Sequence, residues 1–122
     1  MLKKILVTED SAAMRGLIVS TLEEMQCFEV VEACNGFEAL RALPREKVDL
    51  IITDINMPDI NGLDLVSFCR TNPLYQQTPV IIISTEGSER DREKGLALGA
   101  NAYLIKPFQP EELQQVVRHL LD

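Results

Sequence analysis

Short apolar runs that stop abruptly at a polar residue constrain this chain more than any other feature of it. Ile5-Leu6-Val7-Thr8 runs into Glu9-Asp10, Leu50-Ile51-Ile52-Thr53 into Asp54, and Ala102-Tyr103-Leu104-Ile105 into Lys106-Pro107. Runs this short and this apolar read as strands covered on both faces, as in a parallel sheet. Helical patterns lie between them. Met14, Leu17, Ile18, Thr21, Leu22 and Met25 recur at helical spacing and predict one buried face. Residues 28–33 are less apolar and read as an edge strand. A short helix follows through Phe37, Leu40 and Leu43 and stops at Pro44. Asn61-Gly62 opens a helix that carries Leu65, Val66, Phe68 and Cys69 and ends before Pro73. Residues 79–84 are the most β-prone segment. Residues 88–94 are nearly all charged, apolar residues return at Leu96 and Leu98, and Gly99 suits a C-terminal cap. Pro110 fits a first helical turn, followed by a stripe of Leu113, Val116, Val117, Leu120 and Leu121.

Five βα units with short connections predict one domain over residues 1–122, an α/β doubly wound fold of three layers. In its flavodoxin-like (βα)5 form, a five-stranded parallel sheet has order 2-1-3-4-5 with helices on both faces. Ligands of such sheets sit beyond the carboxyl ends of the strands, where the order reverses. Strand one then neighbours strand three, so Glu9, Asp10, Asp54 and Lys106 are expected to share a crevice. Three carboxylates and one ammonium there make a divalent-cation site beside a possible nucleophile.

The totals exclude other classes. A net charge of −7 argues against nucleic acid as a direct partner, because duplex binding needs a concentrated basic face. No apolar run approaches the roughly 20 residues that span a bilayer, so no membrane association is expected. Glu9-Asp10 interrupts the apolar stretch behind Lys3-Lys4, so secretion is not expected and the cytoplasm is. Cys27, Cys34 and Cys69 have no metal-like spacing and read as small buried hydrophobes. His119, the single histidine, reads as a surface residue near a helix C-terminus.

Four stretches together are similar to the response-regulator receiver domain of the CheY-like superfamily. They are Thr8-Glu9-Asp10-Ser11, residues 54–59 (Asp54-Ile55-Asn56-Met57-Pro58-Asp59), the Ile83-Ser84-Thr85 strand end, and residues 99–108. The resemblance covers essentially the whole chain in the right order, and the chain resembles the stand-alone single-domain type or a receiver excised from a longer protein. It implies a phosphoacceptor of a two-component, histidine-to-aspartate relay rather than an enzyme acting on other substrates. Asp54 would take the phosphoryl group as an acyl phosphate, a recognised covalent strategy. Glu9, Asp10, Asp54 and the Asn56 main-chain carbonyl would hold Mg²⁺ or Mn²⁺, a hard cation that takes oxygen ligands. Lys106 would bind the phosphoryl oxygens ahead of a cis Lys106-Pro107 bond. Ser84 would be the switch hydroxyl and Tyr103, its phenol expected at the surface, the rotameric partner. The donor would be a histidine kinase or histidine phosphotransfer protein. The output would be a downstream protein on the face of helix four, strand five and helix five, with a monomer or a phosphorylation-dependent dimer as the assembly.

Plainer readings stand beside each of these. Asp54 could satisfy loop amides, Glu9-Asp10 could be an acidic pair at a helix N-terminus, and Tyr103 could be a half-buried core aromatic. The chain also departs from the family pattern. Many receivers have aspartate where Glu9 stands, and the extra methylene implies contact with the metal through a water. Thr85 is bulkier than is usual at its position. Three rivals differ in class. A haloacid-dehalogenase-like phosphatase needs a second Asp where Asn56 stands, a flavodoxin-like carrier needs a phosphate loop where Glu9-Asp10 would repel phosphate, and a structural pseudo-receiver has no use for the acidic trio.

Overall fold

A computed structural model describes residues 2–85, 87 and 89–121. Five βα units follow in order: β1 (Lys3–Thr8), α1 (Ala12–Glu23), β2 (Phe28–Ala33), α2 (Gly36–Ala42), β3 (Leu50–Thr53), α3 (Gly62–Thr71), β4 (Val80–Ser84), α4 (Glu89–Leu98), β5 (Ala102–Ile105) and α5 (Pro110–Leu121). The strands form one parallel sheet in the order β2-β1-β3-β4-β5, as expected. None of the described helices is long and apolar enough to cross a membrane.

The period-two alternation of the strands divides the core into two layers. Leu6, Ile51 and Ile82 face Ala39 of α2 and Leu65, Val66 and Cys69 of α3. Ile5, Val7, Ile52, Ile81 and Ile83 face Ile18 and Leu22 of α1 and Leu113 and Val117 of α5. Three of the helices start on a side-chain cap that satisfies an orphan amide. Ser11 accepts from the Met14 amide at 3.3 Å, Asn35 from that of Glu38 at 2.8 Å, and Asn61 from that of Asp64 at 2.9 Å. The Asp64 carboxylate returns the bond to the Asn61 amide at 3.1 Å, which closes a capping box.

Several apolar positions lie elsewhere than periodicity predicts. Leu17 is exposed because α1 buries only Ile18, Thr21 and Leu22, a stripe too narrow to include it. Ile105, the last residue of the edge strand β5, is exposed. Tyr103 is buried, not at the surface: β5 points it into the α3 layer, where its ring lies under Gly95 of α4. Of the cysteines, Cys69 is a buried hydrophobe whose thiol burial pushes up to about 11, whereas Cys34 is half-buried and Cys27 exposed. His119 is exposed on the last turn of α5, as read.

Candidate functional site

Backbone pairing at the carboxyl end of the sheet sets the site. Thr8 pairs with both Ala33 and Thr53, so β1, β2 and β3 end level with one another. The Glu9 amide then donates to Ala33 at 3.0 Å and the Asp54 amide to Thr8 at 3.1 Å. These bonds bring Asp54 beside the acidic pair, at the switch point between β1 and β3. One ligand oxygen from each of Glu9, Asp10 and Asp54 lies within 4.8 Å of the others.

Asp54 is only 6% exposed, and its Oδ1 accepts from the Ile55 amide at 2.8 Å. The loop behind it is folded tightly, with the Met57 and Gly62 amides both donating to the Ile55 carbonyl, at 3.1 and 2.9 Å. Gly62 has a steric reason to be glycine. A Cβ there would run into the carbonyl oxygen of Asp54 and sit 3.0 Å from the Ile55 Cα. Asn56, whose carbonyl was expected to face a cation, follows on this loop and is exposed.

Lys106 reaches the same place from the far edge of the sheet. Its Nζ lies 2.7 Å from Glu9 Oε1 and 3.5 Å from Asp54 Oδ2. Its main chain is fixed by a 2.8 Å bond to the Ser84 carbonyl and is followed by a cis bond to Pro107. Ser84 is fully buried at the end of β4 and so borders the site. Thr85 follows it and is exposed. Tyr103 lies in the α3 layer against α4 instead of in the pocket.

Burial governs the charges. Loss of water pushes the Asp54 carboxyl above the usual aspartate range, against the pull of Lys106 and of the Ile55 and Asn56 amides. Burial likewise raises Glu9, against its bonds to Lys106 and to the Ser11 amide. Two buried carboxylates and the exposed Asp10 beside a single ammonium carry excess negative charge. A hard divalent cation with oxygen ligands offsets that excess, so the donor set suits Mg²⁺.

Two arginines escape sequence reasoning, Arg15 at the site end of the sheet and Arg70 at the opposite end. Arg15 on α1 donates to the Glu9 carbonyl at 2.8 Å and to Glu32 Oε1 at 3.1 Å, which fixes the tip of β1. Its place three residues into α1 reads only as a solvated helix charge. Arg70 donates to the Gly99, Tyr75 and Thr78 carbonyls and to Asn101 Oδ1 at 2.8–3.3 Å, tying α3 to the segments that lead into β4 and β5. Their bonds to Glu32, Gly99 and Asn101 join segments 17 to 31 residues apart, where local patterns carry no signal.

Comparison with known proteins agrees with this geometry. The family model for the response regulator receiver domain matches residues 5–118. A chemotaxis protein CheY homolog of Campylobacter jejuni is 40% identical over 97% of this chain and 92% of its own length. The structure of chemotaxis protein CheY4 of Vibrio cholerae superposes with a TM-score of 0.91 at 35% identity, over 99% of this chain and all of the other. The receiver domain of the sensor histidine kinase PA1611 from Pseudomonas aeruginosa was solved with a magnesium ion coordinated in its active-site cleft. It gives a TM-score of 0.89 at 27% identity, over 99% of this chain and 98% of its own.

Proposed function

Because the chain belongs to the response regulator receiver family, whose members take phosphoryl groups from kinases and act on downstream partners, we propose that it is a phosphoacceptor signalling protein with Asp54 as the acceptor. The observation that carries this reading is the Lys106 ammonium at 2.7 and 3.5 Å from two carboxylates whose oxygens share a 4.8 Å cluster with Asp10. An Asp54 carboxylate oxygen attacks the phosphorus, the new O–P bond forms, and the donor's N–P bond breaks with its electron pair returning to the histidine nitrogen. Asp10, Asp54 and the Asn56 carbonyl would hold Mg²⁺, with Glu9 reaching it through a water, and the magnesium in the Pseudomonas receiver supports that choice. When bound, the cation neutralises charge on the phosphoryl oxygens and orients them for in-line attack. Lys106 supplies the second positive charge.

The new group brings about −1.5 to −2 charges beside Ser84 and Lys106, which anchor β4 and β5. The output face is α4, β5 and α5. The exposed Leu96, Leu98 and Ile105 on that stretch support it. The chain acts by binding or by passing the phosphoryl group on, not by turning over a separate substrate.

Intact mass after treatment with acetyl phosphate tests the reading. Wild type gains one phosphoryl mass with Mg²⁺ and none in EDTA, and Asp54→Asn gains none in either. Equal labelling of the variant removes Asp54 from the role.

A further inference from the structure

The end of the sheet where the strands begin carries a surface that phosphoryl transfer does not use. Leu74, in the connection from α3 to β4, is 79% exposed, the highest among the described large hydrophobics. Its loop is not loose. The Leu74 amide donates to Asn72 Oδ1 at 2.9 Å and the Tyr75 amide to the Asn72 carbonyl at 2.9 Å. The Arg70 guanidinium holds the Tyr75 and Thr78 carbonyls at 3.3 and 2.8 Å. Beside this leucine a cavity of about 480 Å³ opens toward the connection from α2 to β3, and Leu43, Pro44, Val48 and Tyr75 complete its apolar wall. A lone surface leucine is ordinary. One fixed at the mouth of an apolar hollow of ligand size marks a place for a partner.

The charges around the hollow say what that partner is. The cavity shares Glu46 with a second hollow along α2, and Lys47 and Asp49 with a third at the start of β1 and β2. Arg41, Arg45 and Lys47 line this furrow, and all three are exposed. Among the described residues none of the three makes an ion pair or a side-chain hydrogen bond. The carboxylates between them are already engaged. Glu46 Oε1 takes Lys4 Nζ at 2.9 Å, Glu29 lies 3.8 Å from the same ammonium, and Asp49 Oδ2 accepts from the Lys4 amide at 2.8 Å. Glu38 Oε1 accepts from the Cys34 amide at 2.9 Å. The furrow therefore offers three uncommitted cations on a chain of net charge −7.

We propose that this end of the sheet docks a short acidic segment of another protein, which seats a leucine-sized side chain in the cavity against Leu74 and Tyr75 and sets its carboxylates on Arg41, Arg45 and Lys47. Arginine suits that task because its planar fork meets a carboxylate with two parallel bonds. Other occupants fit less well. A bilayer is flat and offers no side chain to a hollow, and a second copy brings its own −7 and is repelled. The surface lies at the opposite end of the sheet from Asp54, so docking here is independent of phosphorylation at that residue.

The test uses a fluorescent peptide of four Asp-Leu-Glu repeats, and a control with lysine at every acidic position. Nitrogen-15 amide spectra of the full chain report where each one binds. The acidic peptide is expected to shift amides of residues 43–49 and 74–78, more weakly as salt is raised, and the lysine control to shift none of them. Leu74→Ser and the double variant Arg45→Glu, Lys47→Glu change exposed side chains only, and each is first shown to melt as wild type does. Each should raise the peptide Kd at least about tenfold, which is about 1.4 kcal/mol, and leave the rate of acetyl phosphate labelling unchanged. Four results overturn the proposal: no binding of the acidic peptide, equal binding of the lysine control, shifts confined to other surfaces, or slowed labelling in these variants. Tighter binding to phosphatidylserine vesicles than to the peptide assigns the patch to a membrane instead, and a dimer in sedimentation that Leu74→Ser disperses assigns it to a second copy.

Discussion

Asp54 sits where a charge is least comfortable without a cation, and that discomfort is measurable. Burial raises its carboxyl above the ordinary value of 3.8, and raises Glu9 above 4.5. A carboxyl whose folded-state affinity for a proton exceeds its unfolded one favours the fold at low pH. That contribution is lost as pH rises through the folded value. Asp54→Asn removes the position-54 part of this loss. In EDTA the variant should melt above wild type at pH 8. The gap should shrink as pH falls toward 4. Melting curves across that range check it, and a wild type that melts higher at pH 8 would refute the burial argument. At this scale the residue types were legible: an aspartate and a lysine, each at the end of an apolar run. Arg15 was not, because its partners, the Glu9 carbonyl beyond β1 and Glu32 on β2, lie outside its own helix.

Elements follow the sequence where one face must be buried, and depart from it where the neighbouring layer runs out. The helical spacing of α1 includes Leu17, yet α1 buries only Ile18, Thr21 and Leu22, with Met14 partly covered. Periodicity says which residues share a face, not how wide the surface beneath it is. Gly16 offers a second case in the same helix. It is exposed in the middle of α1, and a Cβ there would meet nothing within 4 Å. Glycine in a helix interior is worth about 0.5–1 kcal/mol less than alanine, through the backbone entropy it loses on folding. Gly16→Ala should therefore stabilise the protein by about that amount. A urea titration would show a higher midpoint with an unchanged slope, and a lower midpoint would mean that the space is not open.

Over the whole molecule, stability is unevenly shared. The sheet and its α1–α5 side bury large aliphatic residues from both partners, whereas α4 buries Gly95 alone among its residues. That glycine rests against Ile82 Cδ1 and the Tyr103 ring, with an added Cβ at 2.9 and 3.4 Å from them. Arg70 fastens the far end of α4 through the Gly99 carbonyl at 3.0 Å. An element with so little buried surface opens at low free energy. Amides of residues 93–98 should exchange with deuterium at least about tenfold faster than those of α5 within residues 113–117. Equal protection of the two helices would show that α4 is held by more than the contacts described. The weakness of α4 was visible in its run of charge. The burial of Tyr103 beneath it was not.

The sequence alone determined the number and order of the elements, the parallel sheet and the chemical types at each strand end, because those follow from local apolar period and turn chemistry. It also carried the family, through four short stretches in the right order. Only the tertiary structure decided which carboxylate holds Lys106, which arginines fix the strand tips, and which side of β5 is covered. Each of those depends on distances between segments that the chain brings together only when the sheet forms.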